Sequence, residues 1–156
     1  DCNNCTRGEY TDARDQKSCK KCEAGRYADN QGAAECSKCS RGTYGDTAGA
    51  RSSKDGCKKC PSGKYNDVEG VDDIDYCKKC DAGTWSDMQG ATKDSQCKNC
   101  EAGRYNENRG ARSVDACTKC AQGKFAASAF FEAVKALKSV DFPTLGKPTI
   151  PHLNPI

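Results

Sequence analysis

Apolar positions are sparse along the first four fifths of the chain, and they recur as single aromatics rather than as runs. Tyr10, Tyr27, Tyr44, Tyr65, Trp85, Tyr105 and Phe125 stand 17–21 residues apart. Two residues before each is a glycine, from Gly8 to Gly123, and six before the glycine is the first member of a Cys-x-x-Cys pair. The fourth copy reads Cys57-Lys58-Lys59-Cys60-Pro61-Ser62-Gly63-Lys64-Tyr65. Between the aromatics the chain is polar. An acid follows two residues later (Asp12, Asp29, Asp46, Asp67, Asp87, Glu107), and then a second glycine (Gly32, Gly49, Gly70, Gly90, Gly110), mostly followed by alanine. No 3.6-residue periodicity runs through residues 1–125. Each repeat is predicted to be a short strand carrying the aromatic, an Asp-to-Gly turn, and a return to the next cysteine pair. The aromatic is the largest apolar group of its repeat and is expected to shield the adjacent bridge.

The cadence stops at Phe125. Over 126–141, Phe130, Val134 and Leu137 fall at i, i+4 and i+7, with Phe131 alongside, which predicts an amphipathic helix. Ser128 is its candidate cap, and Phe130, Phe131, Val134 and Leu137 form a candidate docking face. Residues 142–156 hold four of the five prolines and read as an extended tail.

Composition explains why such a chain needs covalent help. Before residue 126 the aliphatic side chains are Val68, Val71, Ile74, Met88 and Val114, with no leucine. Burying one yields about 1.5–3 kcal/mol, whereas ordering one residue costs about 1–2 kcal/mol. Fourteen of the 156 residues are cysteine, a density typical of disulfide scaffolds. Disulfides persist outside the reducing cytosol, so the expected location is extracellular, secreted or at the cell surface. The chain starts at Asp1 with no signal peptide and no apolar run long enough to span a bilayer, and reads as a mature chain or an excerpt. A net charge of +3 with interspersed signs gives no footprint for nucleic acid.

Fourteen cysteines cannot be paired from sequence alone, but the repeat restricts the choice. A unit closes on itself by joining its second cysteine to the first of the next pair. That gives Cys5–Cys19, Cys22–Cys36, Cys39–Cys57, Cys60–Cys77, Cys80–Cys97 and Cys100–Cys117. Cys2 and Cys120 are left over as candidates for linkage between chains, Cys120 of one subunit to Cys2 of the next. The pattern Cys-x-x-Cys-x-x-Gly-x-Tyr over residues 2–125 resembles the cysteine-rich repeats of ephrin-receptor-like ectodomains. It is similar also to the first half-modules of tumour-necrosis-factor-receptor domains. The resemblance implies the same pairing, in an extracellular setting. Two features depart from it: only Pro61 follows a second cysteine, and the tail from Ala126 has no counterpart.

Other chemistries fit less well. Successive Cys-x-x-Cys pairs lie near zinc-ribbon spacing, but seven pairs leave one over, and each pair ends one unit and opens another. A thioredoxin-like site needs a βαβ context that is absent. The one histidine, His152, lies in the tail, so no nucleophile–base set forms on the repeats, and no catalytic, cofactor or metal residue is assigned. The repeated acid is read as turn chemistry, with Ca²⁺ binding as the alternative. Lys20, Lys21, Lys38, Lys58, Lys59, Lys78, Lys79, Lys98 and Lys119 form a ladder between the cysteines. It reads as a solvated face balanced by acids, with a stripe for acidic glycans or a neighbouring filament as the alternative. Asn4-Cys5-Thr6 makes Asn4 a candidate glycosylation site.

The expected fold is therefore small, disulfide-rich and all-β: an elongated, solenoid-like rod of short hairpins, each touching mainly its neighbours, with a C-terminal helix and a Pro-rich tail. The expected function is a non-enzymatic structural or adhesive piece of an extracellular assembly such as a surface fibre, associating with itself or other extracellular proteins. A ligand-binding ectodomain fragment of a receptor is the alternative, and an intracellular zinc-binding module the third.

Overall fold

The computed structural model describes residues 2–14 and 16–126, and Asp1–Ala126 forms one compact body. The predicted helix over 126–141, with Phe130, Phe131, Val134 and Leu137, and the Pro-rich tail lie outside the described residues. Six disulfides divide the body into units 1 to 6: Cys5–Cys19, Cys22–Cys36, Cys39–Cys57, Cys60–Cys77, Cys80–Cys97 and Cys100–Cys117. In the chain-entropy account, closing a loop of this length is worth about 3 kcal/mol.

Each unit contains one two-stranded antiparallel sheet. In unit 1, Glu9–Tyr10 pairs with Lys20–Lys21, so the aromatic strand lies against the residues between the next two cysteines. Units 2 to 6 repeat this with Arg26–Tyr27 on Ser37–Lys38, Thr43–Tyr44 on Lys58–Lys59, Lys64–Tyr65 on Lys78–Lys79, Thr84–Trp85 on Lys98–Asn99 and Arg104–Tyr105 on Thr118–Lys119. A lone two-stranded hairpin is marginal in water, so the units must stabilise one another.

They do so largely through backbone. Between units 1 and 2, the Gly8 and Thr11 amides donate to the Ala28 and Ala33 carbonyls, and the Gly32 amide donates back to Cys5 at 2.9 Å. The last bond recurs as Gly49 to Cys22, Gly70 to Cys39, Gly90 to Cys60 and Gly110 to Cys80, at 2.7–2.8 Å. The aromatic strand thereby forms a parallel bridge to the alanine of the next unit, as in Tyr10 with Ala33 and Trp85 with Ala111. Contacts also reach one unit further than expected. The first glycine of units 1 to 4 lies against the second-glycine carbonyl two units on: Gly8 on Gly49, Gly25 on Gly70, Gly42 on Gly90 and Gly63 on Gly110. The expectation of contact mainly with immediate neighbours is thus too narrow, because the small residues let backbones two units apart meet.

The core is thin and made of sulfur and methyl groups. The second cysteine of each joint from Cys5 to Cys100 is buried, together with Ala50, Val71, Ala91 and Ala111, the residues after the second glycine. Four of the five aliphatics before residue 126 (Val68, Ile74, Met88, Val114) are exposed. Tyr10 packs against the cluster of Cys22, Ala28 and Cys36 in the following unit, which is the adjacent bridge its spacing led one to expect. Phe125, with no complete unit after it among the described residues, is 85% exposed.

Units 3 to 6 are longer than units 1 and 2, with bonded cysteines 17–18 positions apart instead of 14. The extra residues form a helical turn just before the closing cysteine: Ser53–Gly56, Ile74–Tyr76, Asp94–Gln96 and Val114–Ala116. Ser52 and Asp73 cap the first two through their side chains.

In units 2 to 6 the residue after the aromatic is also buried. Asn66 spans two units, donating to the Thr43 carbonyl at 2.9 Å and to Val68 O, while its own oxygen accepts from the Val68 amide. Asn106 repeats the bond to Thr84 at 3.3 Å. Ser86 occupies the equivalent place, fully buried, and its hydroxyl has no partner among the described residues.

Two outcomes follow for denaturation with the disulfides intact. Ser86→Asn should stabilise by about 1 kcal/mol, by reaching the Lys64 carbonyl as Asn66 reaches Thr43; no gain would show that the spanning bond is not stabilising. Gly63 (φ +77°) and Gly103 (φ +79°) share a backbone conformation, but only at Gly63 would a Cβ collide with the Gly110 carbonyl; at Gly103 nothing described lies within 4 Å. Gly103→Ala should cost the left-handed penalty of about 1–2 kcal/mol, and Gly63→Ala a further 1–3 kcal/mol, roughly, for the overlap. Equal midpoints would refute the contact between units two apart.

Candidate functional site

The described residues hold no converging acid–base set, and their recesses are shallow and lined by scattered polar groups. What recurs at every unit is charge on the hairpin surface and sulfur at the joints.

The lysine ladder divides into two kinds. The first lysine after the opening cysteine sits opposite the aromatic and reaches the acid two residues beyond it. Lys20 meets Asp12 at 3.0 Å, Lys58 meets Asp46 at 2.7 Å, Lys78 meets Asp67 at 2.9 Å and Lys98 meets Asp87 at 3.1 Å. The register causes this: Lys20 is paired with Tyr10, and Asp12 lies diagonally across on the same face. Two of these ammonium groups also lie over rings, Lys78 over Tyr65 at 5.9 Å and Lys98 over Trp85 at 4.6 Å. In units 2 and 6, Ser37 and Thr118 stand in the lysine's place, and neither Asp29 nor Glu107 has an ion pair among the described residues. The repeated acid therefore does more than turn the chain: in four units it ties the two strands together.

The second lysine behaves differently. The stems of Lys21, Lys38, Lys59 and Lys79 lie along the glycine two units on: Gly49, Gly70, Gly90 and Gly110. Their ammonium groups have no ion pair among the described residues. Other ion pairs link consecutive units, Arg41 with Glu69 at 3.8 Å and Arg109 with Asp81.

Cys2 is exposed and unpaired, and Cys120 is half-buried and unpaired. The other twelve sulfurs are bonded to one another, so they present no thiolates to a metal. Asn4 is exposed, and its side-chain oxygen faces the Gly32 turn; Thr6 of the sequon donates to the Glu9 carboxylate at 2.8 Å. No helix among the described residues is long and apolar enough to cross a membrane.

Residues 8–55 and 25–77 match the family model described as tyrosine-protein kinase ephrin type A/B receptor-like. The chain carries ephrin-receptor-like cysteine-rich repeats over that stretch, and the same hairpin-and-bridge geometry continues to Cys117. No curated protein matches the chain. Disulfide-linked repeats of this receptor-like kind point to an extracellular domain.

The lysine hydrogen bond holds the carboxyls of Asp12, Asp46, Asp67 and Asp87 below the usual carboxylate range. A lowered acid contributes stability above its unfolded value, and loses it as pH falls through the folded one. These groups are solvent-exposed, so the contribution is small and screened by salt. In Lys58→Gln, the Asp46 carboxyl should titrate closer to the ordinary value near ~3.9 while Asp67 keeps its position, followed by NMR of the side-chain carboxyls. An unmoved Asp46 would show that Lys58 is not the cause.

Proposed function

We propose that this chain is a non-enzymatic structural or adhesive repeat protein of an extracellular assembly such as a surface fibre, with copies of itself or other extracellular proteins as partners. The observation that carries this reading is the pair of unbonded sulfurs at Cys2 and Cys120. Each occupies a joint position that in every complete joint is bonded. Joining Cys120 of one subunit to Cys2 of the next would continue the same linkage from chain to chain. A contact that does not close on itself generates an open filament. The repeated interface supports the reading as well, because each unit meets the next through backbone amides and carbonyls rather than through a unique side-chain set.

The receptor-like description of the matching family favours a second reading, a ligand-binding ectodomain fragment. On that reading the body presents its surface to a soluble protein ligand and has no need of linked copies. The disulfides support an oxidising location over an intracellular zinc module.

Non-reducing electrophoresis of native material, with electron microscopy beside it, separates these readings. A ladder that collapses on reduction, is lost in Cys120→Ser, and accompanies visible filaments is the expected result. A single monomer band with no filaments would overturn linkage between chains and leave the receptor fragment as the better account.

A further inference from the structure

Units two apart touch directly, so odd and even hairpins form separate rows. Unit 2 meets unit 4 through Gly25 on Gly70, and unit 4 meets unit 6 through Gly63 on Gly110. The lysine stems follow the same rows, with Lys38 of the unit 2 sheet on Gly70 and Lys79 of the unit 4 sheet on Gly110.

The two rows carry different charge. In the even row, the second lysine of each joint is directly opposite another cation: Arg26 with Lys38, Lys64 with Lys79, and Arg104 with Lys119. In the odd row the corresponding pairs are Glu9 with Lys21, Thr43 with Lys59 and Thr84 with Asn99. Like charges directly opposite destabilise a hairpin, yet all three even sheets hold them and no odd sheet does. No carboxylate reaches ion-pair distance of these six cations among the described residues. In unit 4 the nearby acids are engaged elsewhere, Asp67 with Lys78 and Glu69 with Arg41, while Asp29 of unit 2 and Glu107 of unit 6 reach none of these cations. Glu23 and Glu35 share a recess with Arg26, whose guanidinium instead donates to the Cys36 carbonyl at 3.2 Å.

We infer that the even row is a docking face for a linear polyanion, specifically a sulfated glycan chain. A row of paired, long cationic side chains repeated at each even unit matches a polymer with regularly repeated negative groups. A folded acidic protein would need an apolar interface core, and the paired positions of this row hold only Arg and Lys. The inference rests on the extracellular reading proposed above but not on self-assembly: a monomer that binds through this row keeps it, and a filament that does not bind loses it.

Heparin is the probe, titrated against the native chain and two triple variants of equal charge change. The even variant is Lys38→Gln, Lys64→Gln and Lys79→Gln; the odd variant is Arg7→Gln, Lys21→Gln and Lys59→Gln. The even variant should weaken heparin binding about tenfold or more and elute at lower salt, as expected for the loss of several exposed ionic contacts. The odd variant should change it by roughly twofold at most. The even variant should melt no lower than the native chain, since it removes a like-charge pair, so weakened binding cannot be ascribed to unfolding. Equal losses in both variants would show a response to net charge alone and overturn the row. Undetectable heparin binding by the native chain, or unchanged binding in the even variant, would overturn it too. Tighter binding to polyglutamate than to heparin would reassign the face to an acidic protein and overturn the glycan.

Discussion

Backbone-to-backbone contact between hairpins is the interaction on which the rest of this structure depends. A strand of two residues with one aromatic does not bury enough to hold itself together. Here the amide of each second glycine reaches back to a cysteine carbonyl of the previous unit, at 2.7–2.9 Å from Gly32 to Gly110. Such bonds demand close approach, and close approach demands the absence of side chains. The glycines and the alanines beside them supply that space, which leaves little room for an aliphatic core. The disulfides follow from this choice: a body that excludes bulky side chains from its interfaces must limit the freedom of its unfolded chain by covalent closure. The bridge also serves as packing material: Tyr10 packs against the cluster of Cys22, Ala28 and Cys36 in the next unit.

Much of this was legible in the residues. The Cys-x-x-Cys-x-x-Gly-x-Tyr spacing marks one hairpin per unit, and the aromatic strand does pair with the residues between the next cysteines. Three features were not seen. The helical turns at Ser53–Gly56 and its later counterparts lie in the extra residues of units 3 to 6, and Ser52 and Asp73 were readable as caps. At three or four residues, such turns are too short for any hydrophobic period to register. The aromatic was expected on an adjacent bridge, but spacing alone does not say which of the flanking units supplies it. Contacts between units two apart escaped for the same reason: a repeat length carries no information on how far each unit turns relative to the last.

That missing rotation also hid the meaning of the lysines. Read along the chain, Cys-Lys-Lys-Cys looks like one uniform ladder. In space its first lysine is spent on an acid of its own hairpin, as Lys58 is on Asp46, while the second lies along a glycine two units away. Which cations accumulate then depends on parity. Arg26, Lys64 and Arg104 occupy even units, at the positions that Glu9, Thr43 and Thr84 hold in odd ones. A pattern with a period of two units, about forty residues, is invisible to any reading that aligns the repeats one on another.

The same parity bears on the function proposed above. An active site needs different groups brought to one point by elements far apart in sequence. A stack of near-identical hairpins instead presents the same group again and again along a line, and its interior holds bonded sulfur, methyl groups and satisfied amides. Affinity in such an array comes from several weak contacts engaged together, so it grows with the number of units in register rather than with the quality of any one of them. The partners proposed above are themselves repetitive: a chain of like charges along a row, or another copy of the stack continuing the joint from Cys120 to Cys2. The two proposed uses would not compete, because one would occupy the exposed sheet faces and the other the terminal sulfurs. Lengthening the stack by end-to-end linkage would also lengthen the row.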